Sequence, residues 1–224
     1  AHHQGWHGEN QLRLMMSTPP LSAISQSLLE LRDDSGRLLH NISTRQGVLH
    51  GALQSFNAAG QTVQRAAYQN GMRHGLSEYY DGSRLQMQQQ FVKGLAQGPA
   101  KLFDAAGNLA AEMNYVAGQL EGESRYYAQG RLVRTANYRG GKLHGVVEDF
   151  GLDGALLQRT SYQANALHGP TLRYWPNGQV MQRVDYDLGL MQGAVRQFDQ
   201  AGKALGEPGP TLVKRFEQLL RGQP

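Results

Sequence analysis

Four histidines recur at one position of a repeating pattern: His50, His74, His144 and His168 each stand directly before a glycine. Imidazole is a common metal ligand, so such a column raises the question of a metal site. A shared ion needs ring nitrogens at about 2.1 Å. If the histidines belong to successive hairpins, equivalent positions lie two strand spacings apart, about 9.5 Å. The column also skips units, where Gln97, Glu121 and Gln192 take its place. A solvated turn position accounts for this, and no metal or other cofactor is expected. The start, Ala1-His2-His3, has the third-place histidine that suits square-planar Cu(II) or Ni(II) at a free amino terminus. A terminus without a role is the plainer account.

Nucleophilic chemistry finds little footing. There is no cysteine, and Ser77, Ser83, Ser124 and Ser161 stand in repeated strands or turns with no His/Asp set brought to them. Asp33-Asp34 and Glu148-Asp149 are carboxylate pairs, which acid–base catalysis can use, but a hairpin turn and a strand explain them. No enzyme is expected.

These positions are all set by one spacing. A Gly-x-x-x-Gly unit recurs every 23 or 24 residues, led by Gly47, Gly71, Gly94, Gly118, Gly141, Asn165 and Gly189. The second glycines are Gly51, Gly75, Gly98, Gly122, Gly145, Gly169 and Gly193, and the units close on Gly60, Gly82, Gly107, Gly130, Gly154, Gly178 and Gly202. A period this short means an array of one supersecondary unit. The units lack the Gly-Lys-Ser/Thr ending of a phosphate loop and open strands, not helices.

Each unit reads as a β-hairpin: in Gly98 to Gly118, two alternating runs flank Asp104-Ala105-Ala106-Gly107. Five residues after the second glycine stand Phe56, Tyr80, Phe103, Tyr127, Phe150, Tyr174 and Phe198. Eight after the third stand Tyr68, Tyr115, Tyr138, Tyr162 and Tyr186, with Phe91 displaced by one; two after it stand Leu109, Leu132, Leu156 and Val180. Positions two and eight share parity, so this alternation predicts that they share a face. Polar residues such as Glu112, Asn114, Thr135, Arg159, Arg183 and Asp185 are expected on the other.

The expected class is all-β: an elongated, curved antiparallel meander of tandem hairpins, about 16 strands and roughly 75 Å long at the usual strand spacing. Residues 1–26 read as an irregular lead-in, 27–205 as the array, and 206–224 as a cap. In the cap Leu212, Val213, Phe216, Leu219 and Leu220 fall at helical spacing. A short capping helix covering the sheet edge is expected there, with a partner-docking helix as the alternative.

Composition agrees with an array. Twenty-eight glycines in 224 residues are about twice the usual share. No run of about 18 apolar residues is present to form a membrane helix. The net charge of +4 is scattered, whereas a nucleic-acid footprint would be clustered. Ala1 in place of an initiator Met fits signal-peptide removal and a periplasmic location, with a cytoplasmic one as the alternative.

The glycine pairs, the following Tyr or Phe and the closing glycine resemble the MORN repeat, most of all the MORN-repeat-variant family of bacterial proteins. The resemblance runs well over 47–205 and partly over 27–46; it departs at Asn165 and in the short Gly75–Gly82 stretch. Bacterial members of that family are often antitoxins or immunity proteins, including some that neutralise lipase effectors of type VI secretion. The resemblance therefore implies a protein toxin as partner. MORN repeats are also linked with scaffolding, dimerisation and membranes, so self-association or lipid binding is the alternative.

A binding surface can be placed on the residues. The aromatic column shares parity with Gln54, Glu78, Lys101, Arg125, Glu148, Leu172 and Arg196, two places earlier. Tyr and Arg combine contact area with hydrogen bonding, which suits interfaces. The candidate partner-binding residues are Glu78, Tyr80, Lys101, Arg125, Tyr127, Glu148, Tyr174 and Arg196, with Phe56, Phe103, Phe150 and Phe198 expected in the core.

Overall fold

The computed structural model describes residues 26–206. The chain divides into two compact units, the first ending at Gln119 and the second starting at Leu120. The first holds β1 (Gln26–Arg32), β2 (Leu38–Arg45), β3 (Val48–Phe56), β4 (Thr62–Gln69), β5 (Met72–Asp81), β6 (Arg84–Val92), β7 (Leu95–Phe103) and β8 (Leu109–Val116). A two-residue β9 (Gln119–Leu120) sits at the division. The second holds β10 (Gly122–Ala128), β11 (Arg131–Arg139), β12 (Lys142–Phe150), β13 (Leu156–Gln163), β14 (Ala166–Tyr174), β15 (Val180–Asp187), β16 (Leu190–Phe198) and β17 (Ala204–Leu205). From β1 to β8, and from β10 to β17, each strand pairs antiparallel with the next, so both units are all-β meanders. The helix expected in the cap lies outside the described residues.

Three backbone devices build each repeat. The first is the turn at the leading glycine. Gln46-Gly47, Asn70-Gly71, Lys93-Gly94 and Ala117-Gly118 in the first unit have positive φ at both residues, as do Gly140-Gly141, Ala164-Asn165 and Leu188-Gly189 in the second. This is the type I′ turn, whose twist matches that of the strands. The left-handed region costs a residue with a Cβ about 1–2 kcal/mol. A bond between repeats offsets it: the N–H of Gly71 donates to the Leu49 carbonyl, Gly94 to Arg73, and Gly118 to Ala96, all at 2.8 Å. Gly141, Asn165 and Gly189 donate likewise to Leu120, Leu143 and Leu167. Asn165 fits because asparagine tolerates this region, and its Oδ1 also accepts the Leu143 N–H at 2.7 Å.

The second device is a bulge at the second glycine. Ala66 pairs with Ser77 and Tyr68 with Arg73, so His74, Gly75 and Leu76 together oppose Ala67. A Cβ on Gly75 would lie 3.3 Å from the Ala67 Cβ, and its φ is +101°. Both space and conformation therefore require glycine. The same two-residue excess recurs at Gly51, Gly98, Gly145 and Gly169.

The third device is the turn at the closing glycine, held in three repeats by a side chain at its start. Asp104 Oδ1 accepts the N–H groups of Ala106 and Asn108, and Asn57 and Asp199 act likewise in their own turns. Past this turn the register slips by one: Phe103 pairs with Leu109 but Leu102 with Ala111. One extra residue inverts the alternation. Leu109 therefore shares the face of Phe103, opposite to that of Tyr115, and the expectation that positions two and eight share a face is corrected. The slip repeats at Leu85, Leu132, Leu156 and Val180, each paired with the aromatic of its repeat.

Two faces result in each unit. One carries Tyr68, Phe91 and Tyr115 in the first unit, or Tyr138, Tyr162 and Tyr186 in the second, beside a central row of small residues; the other carries the charged row and the aromatic–aliphatic pairs. The small row holds most of the core: Ala66, Ala100, Ala136 and Val147 are buried, and so are Ser77, Ser124 and Thr160.

Replacing Gly75 by alanine is expected to cost about 1–3 kcal/mol. Lys93→Gly, at a left-handed position, is expected to be neutral or up to about 1 kcal/mol stabilising, as relieved strain outweighs glycine's backbone entropy. Chemical denaturation of both variants checks the contrast.

Candidate functional site

The charged face carries the residues expected to bind a partner. In the first unit, cross-strand pairing aligns Gln54, Arg65, Glu78, Gln88, Lys101 and Glu112 in one row. Glu78 is held by two hydrogen bonds: Tyr80 donates its hydroxyl to Oε2 at 2.7 Å, and Gln88 Nε2 donates to Oε1 at 3.0 Å. These bonds, that from Gln88 first, hold the Glu78 carboxyl below its ordinary pKa. Burial, then the bond to Glu78, raises that of Tyr80. The Arg65 guanidinium stands 5.6 Å from the Tyr80 ring centre, within cation–π range. Lys101 Nζ meets Glu112 at 3.6 Å.

In the second unit the row runs Arg125, Thr135, Glu148, Arg159, Leu172, Arg183 and Arg196. Arg125 pairs with Glu123 at 2.7 Å and Glu148 with Arg159 at 3.3 Å. Asp185 accepts from both Arg183 and Arg196, and these contacts, Arg183 first, lower its pKa. Exposed pairs of this kind contribute about 0–1 kcal/mol each to folding. Their larger consequence is that the side chains are already oriented. The seven aromatics, Phe56, Tyr80, Phe103, Tyr127, Phe150, Tyr174 and Phe198, are all half-buried. The Phe residues, expected in the core, are thus half-buried like the Tyr residues; Tyr80, Phe103, Tyr127, Phe150 and Tyr174 each face an aliphatic cross-strand partner, and Phe56 faces Thr62.

The histidine column lies at the type I′ turns. Two non-histidine members show what the position does: Gln97 Oε1 accepts the Ala117 N–H at 2.9 Å, and Glu121 Oε2 accepts the Gly140 N–H at 2.8 Å. His168 Nδ1 lies 3.1 Å from Asp187. At Gln97 and Glu121 the position holds the next turn in place. Among the described residues, no three of His, Asp and Glu are grouped so as to hold a metal ion.

The tyrosine face carries a site that the sequence did not single out. In the second unit, a depression of about 510 Å³ is lined by Tyr126, Val133, Arg134, Ala136, Tyr138, Leu143, Val147, Asp149 and Tyr162. Ser124 pairs with Ala136, and Tyr126 and Tyr138 stand diagonally on either side of that pair. Their hydroxyls meet 3.2 Å apart, roofing the small residues beneath. Burial, then the bond to Tyr138, pushes the Tyr126 pKa up to about 12. Beside them Arg134 donates to Asp149 from Nε at 2.6 Å and Nη2 at 3.2 Å. Tyr138 and Tyr162 belong to a column visible in the sequence; Arg134 shares the face of Tyr138 by plain alternation along β11, and cross-strand pairing sets Tyr126 and Asp149 opposite Arg134. In the first unit the corresponding face stacks Arg73 5.2 Å from the Phe91 ring centre.

With the geometry in place, comparison with known proteins adds one result. A family model for the MORN repeat variant matches residues 96–117 and 167–187. These spans cover β7–β8 and β14–β15, one hairpin in each unit. No curated protein matches the chain. The chain is therefore a repeat scaffold with likeness to the MORN variant at two places.

Tyr126 ionises, on this geometry, with a midpoint near pH 12 instead of 10. Because its folded value is raised, its contribution to stability is complete below about pH 10 and lost towards pH 12. Phenolate absorbance during alkaline titration should show this late component, and Tyr138→Phe should move it earlier.

Proposed function

We propose that this chain is a binding protein, not an enzyme, and that it holds a protein partner on its charged face. The observation that carries this is the row of pre-oriented side chains on each unit, Glu78 with Tyr80 and Lys101 in one, Arg125 with Glu148 and Arg196 in the other. Fixed charge pairs beside half-open aromatic rings supply steering, specificity and contact area with little ordering left for the moment of binding. Residues at the same place in successive repeats differ in charge, so the row can distinguish partners while the glycines keep the frame.

The resemblance to MORN-variant proteins supports a narrower reading. The partner is a toxic effector, with a secreted phospholipase as first candidate, and binding blocks its active site. A periplasmic location suits that role. A specific observation favours a second reading, self-association: Leu188, Leu190 and Met191, at the start of β16, are more than half exposed, and an apolar strand of this kind readily meets another copy.

Co-expression with candidate effectors encoded beside this chain tests the reading. Wild type should rescue growth and co-purify as a 1:1 complex. Lys101→Glu with Arg125→Glu should lose capture by tenfold or more, roughly 1.4 kcal/mol or above, with an unchanged melting temperature. Unchanged capture would move the contact off this face, and a stable homodimer without an effector would favour self-association.

A further inference from the structure

We propose that the depression on the tyrosine face of the second unit binds an uncharged sugar of one or two rings. Its volume of about 510 Å³ lies within the usual span of small-molecule pockets, about 300–1,000 Å³. The floor is apolar, formed by Ala136 and Val147, with Leu143 beside it. The polar groups are three phenols and one ion pair, Arg134 with Asp149.

Charge decides the ligand class. The guanidinium and carboxylate neutralise each other through two hydrogen bonds. Burial keeps the Tyr126 phenol protonated far above neutral pH. The site therefore has no net charge to offer, and an anion or cation entering it would lose hydration without a free counter-charge. A neutral ligand still needs both donors and acceptors around its edge. The Arg134 N–H groups donate, the Asp149 oxygens accept, and the Tyr126–Tyr138 hydroxyl pair leaves one O–H free to donate outward. A sugar ring matches this: hydroxyls around its rim, and C–H faces that pack on phenol rings and an apolar floor.

This site lies on the face opposite the charged row, so the inference does not depend on the protein-partner reading. The full chain is titrated with maltose, cellobiose and diacetylchitobiose by calorimetry and ligand-observed NMR, with inorganic phosphate and choline as charged probes. At least one disaccharide should bind in the millimolar range or tighter. Tyr126→Phe and Tyr138→Phe each keep the ring and remove one hydroxyl; each should weaken that binding about five- to tenfold, as for one lost hydrogen bond. Tyr80→Phe, in the first unit, should leave it unchanged. Circular dichroism confirms that each variant is folded. Absence of binding by all three sugars, equal affinity in both site variants, or preference for phosphate or choline would overturn the proposal. So would loss of a protein partner in the site variants with no sugar bound, which would give the depression to a protein side chain.

Discussion

A backbone hydrogen bond from each leading turn to the preceding repeat is the constraint on which the rest of this structure depends. In an isolated type I′ hairpin the second turn residue points its N–H at water. Here that N–H reaches a carbonyl one repeat earlier, from Gly71 to Leu49 through to Gly189 to Leu167. To present it, residues such as Lys93, Ala117 and Leu188 accept a left-handed backbone. Such strain persists only where the surroundings impose it. Side chains from the preceding repeat, Gln97 and Glu121, then hold the adjacent N–H of Ala117 and Gly140.

Two bulges of different size then sort the side chains. The excess at the second glycine is two residues and leaves the alternation intact across it. The slip after the closing turn is one residue and reverses it. Each repeat thereby delivers its aliphatic residue to the charged face, against the Phe or Tyr, and its closing tyrosine to the other face. Among the described residues no second layer lies on either unit's strands, so each covers its own centre. It does so with small residues in the middle row and phenols leaning over them, as Tyr126 and Tyr138 do above Ser124 and Ala136.

Much of this was legible in the sequence, for a physical reason. Turns and bulges that demand positive φ leave glycine as the readable mark, so the period, the hairpins and the antiparallel order followed from spacing alone. The row from Glu78 to Lys101 was also readable, because no bulge separates second-glycine offsets three and five. The tyrosine-face site was not. Alternation alone puts Arg134 on the face of Tyr138, but it carries no cross-strand register, so Tyr126 and Asp149 could not be set opposite Arg134. Asn165 looked like a defect in the glycine column, yet it makes two bonds to Leu143 where glycine makes one.

Native-state hydrogen exchange at the leading-turn amides tests the link between repeats most directly. The amides of Gly71, Gly94, Asn165 and Gly189 should be protected to a degree comparable with neighbouring strand amides, and should exchange together with them. Exchange of these amides at the rate of an unstructured peptide, while the strands stay protected, would contradict the account.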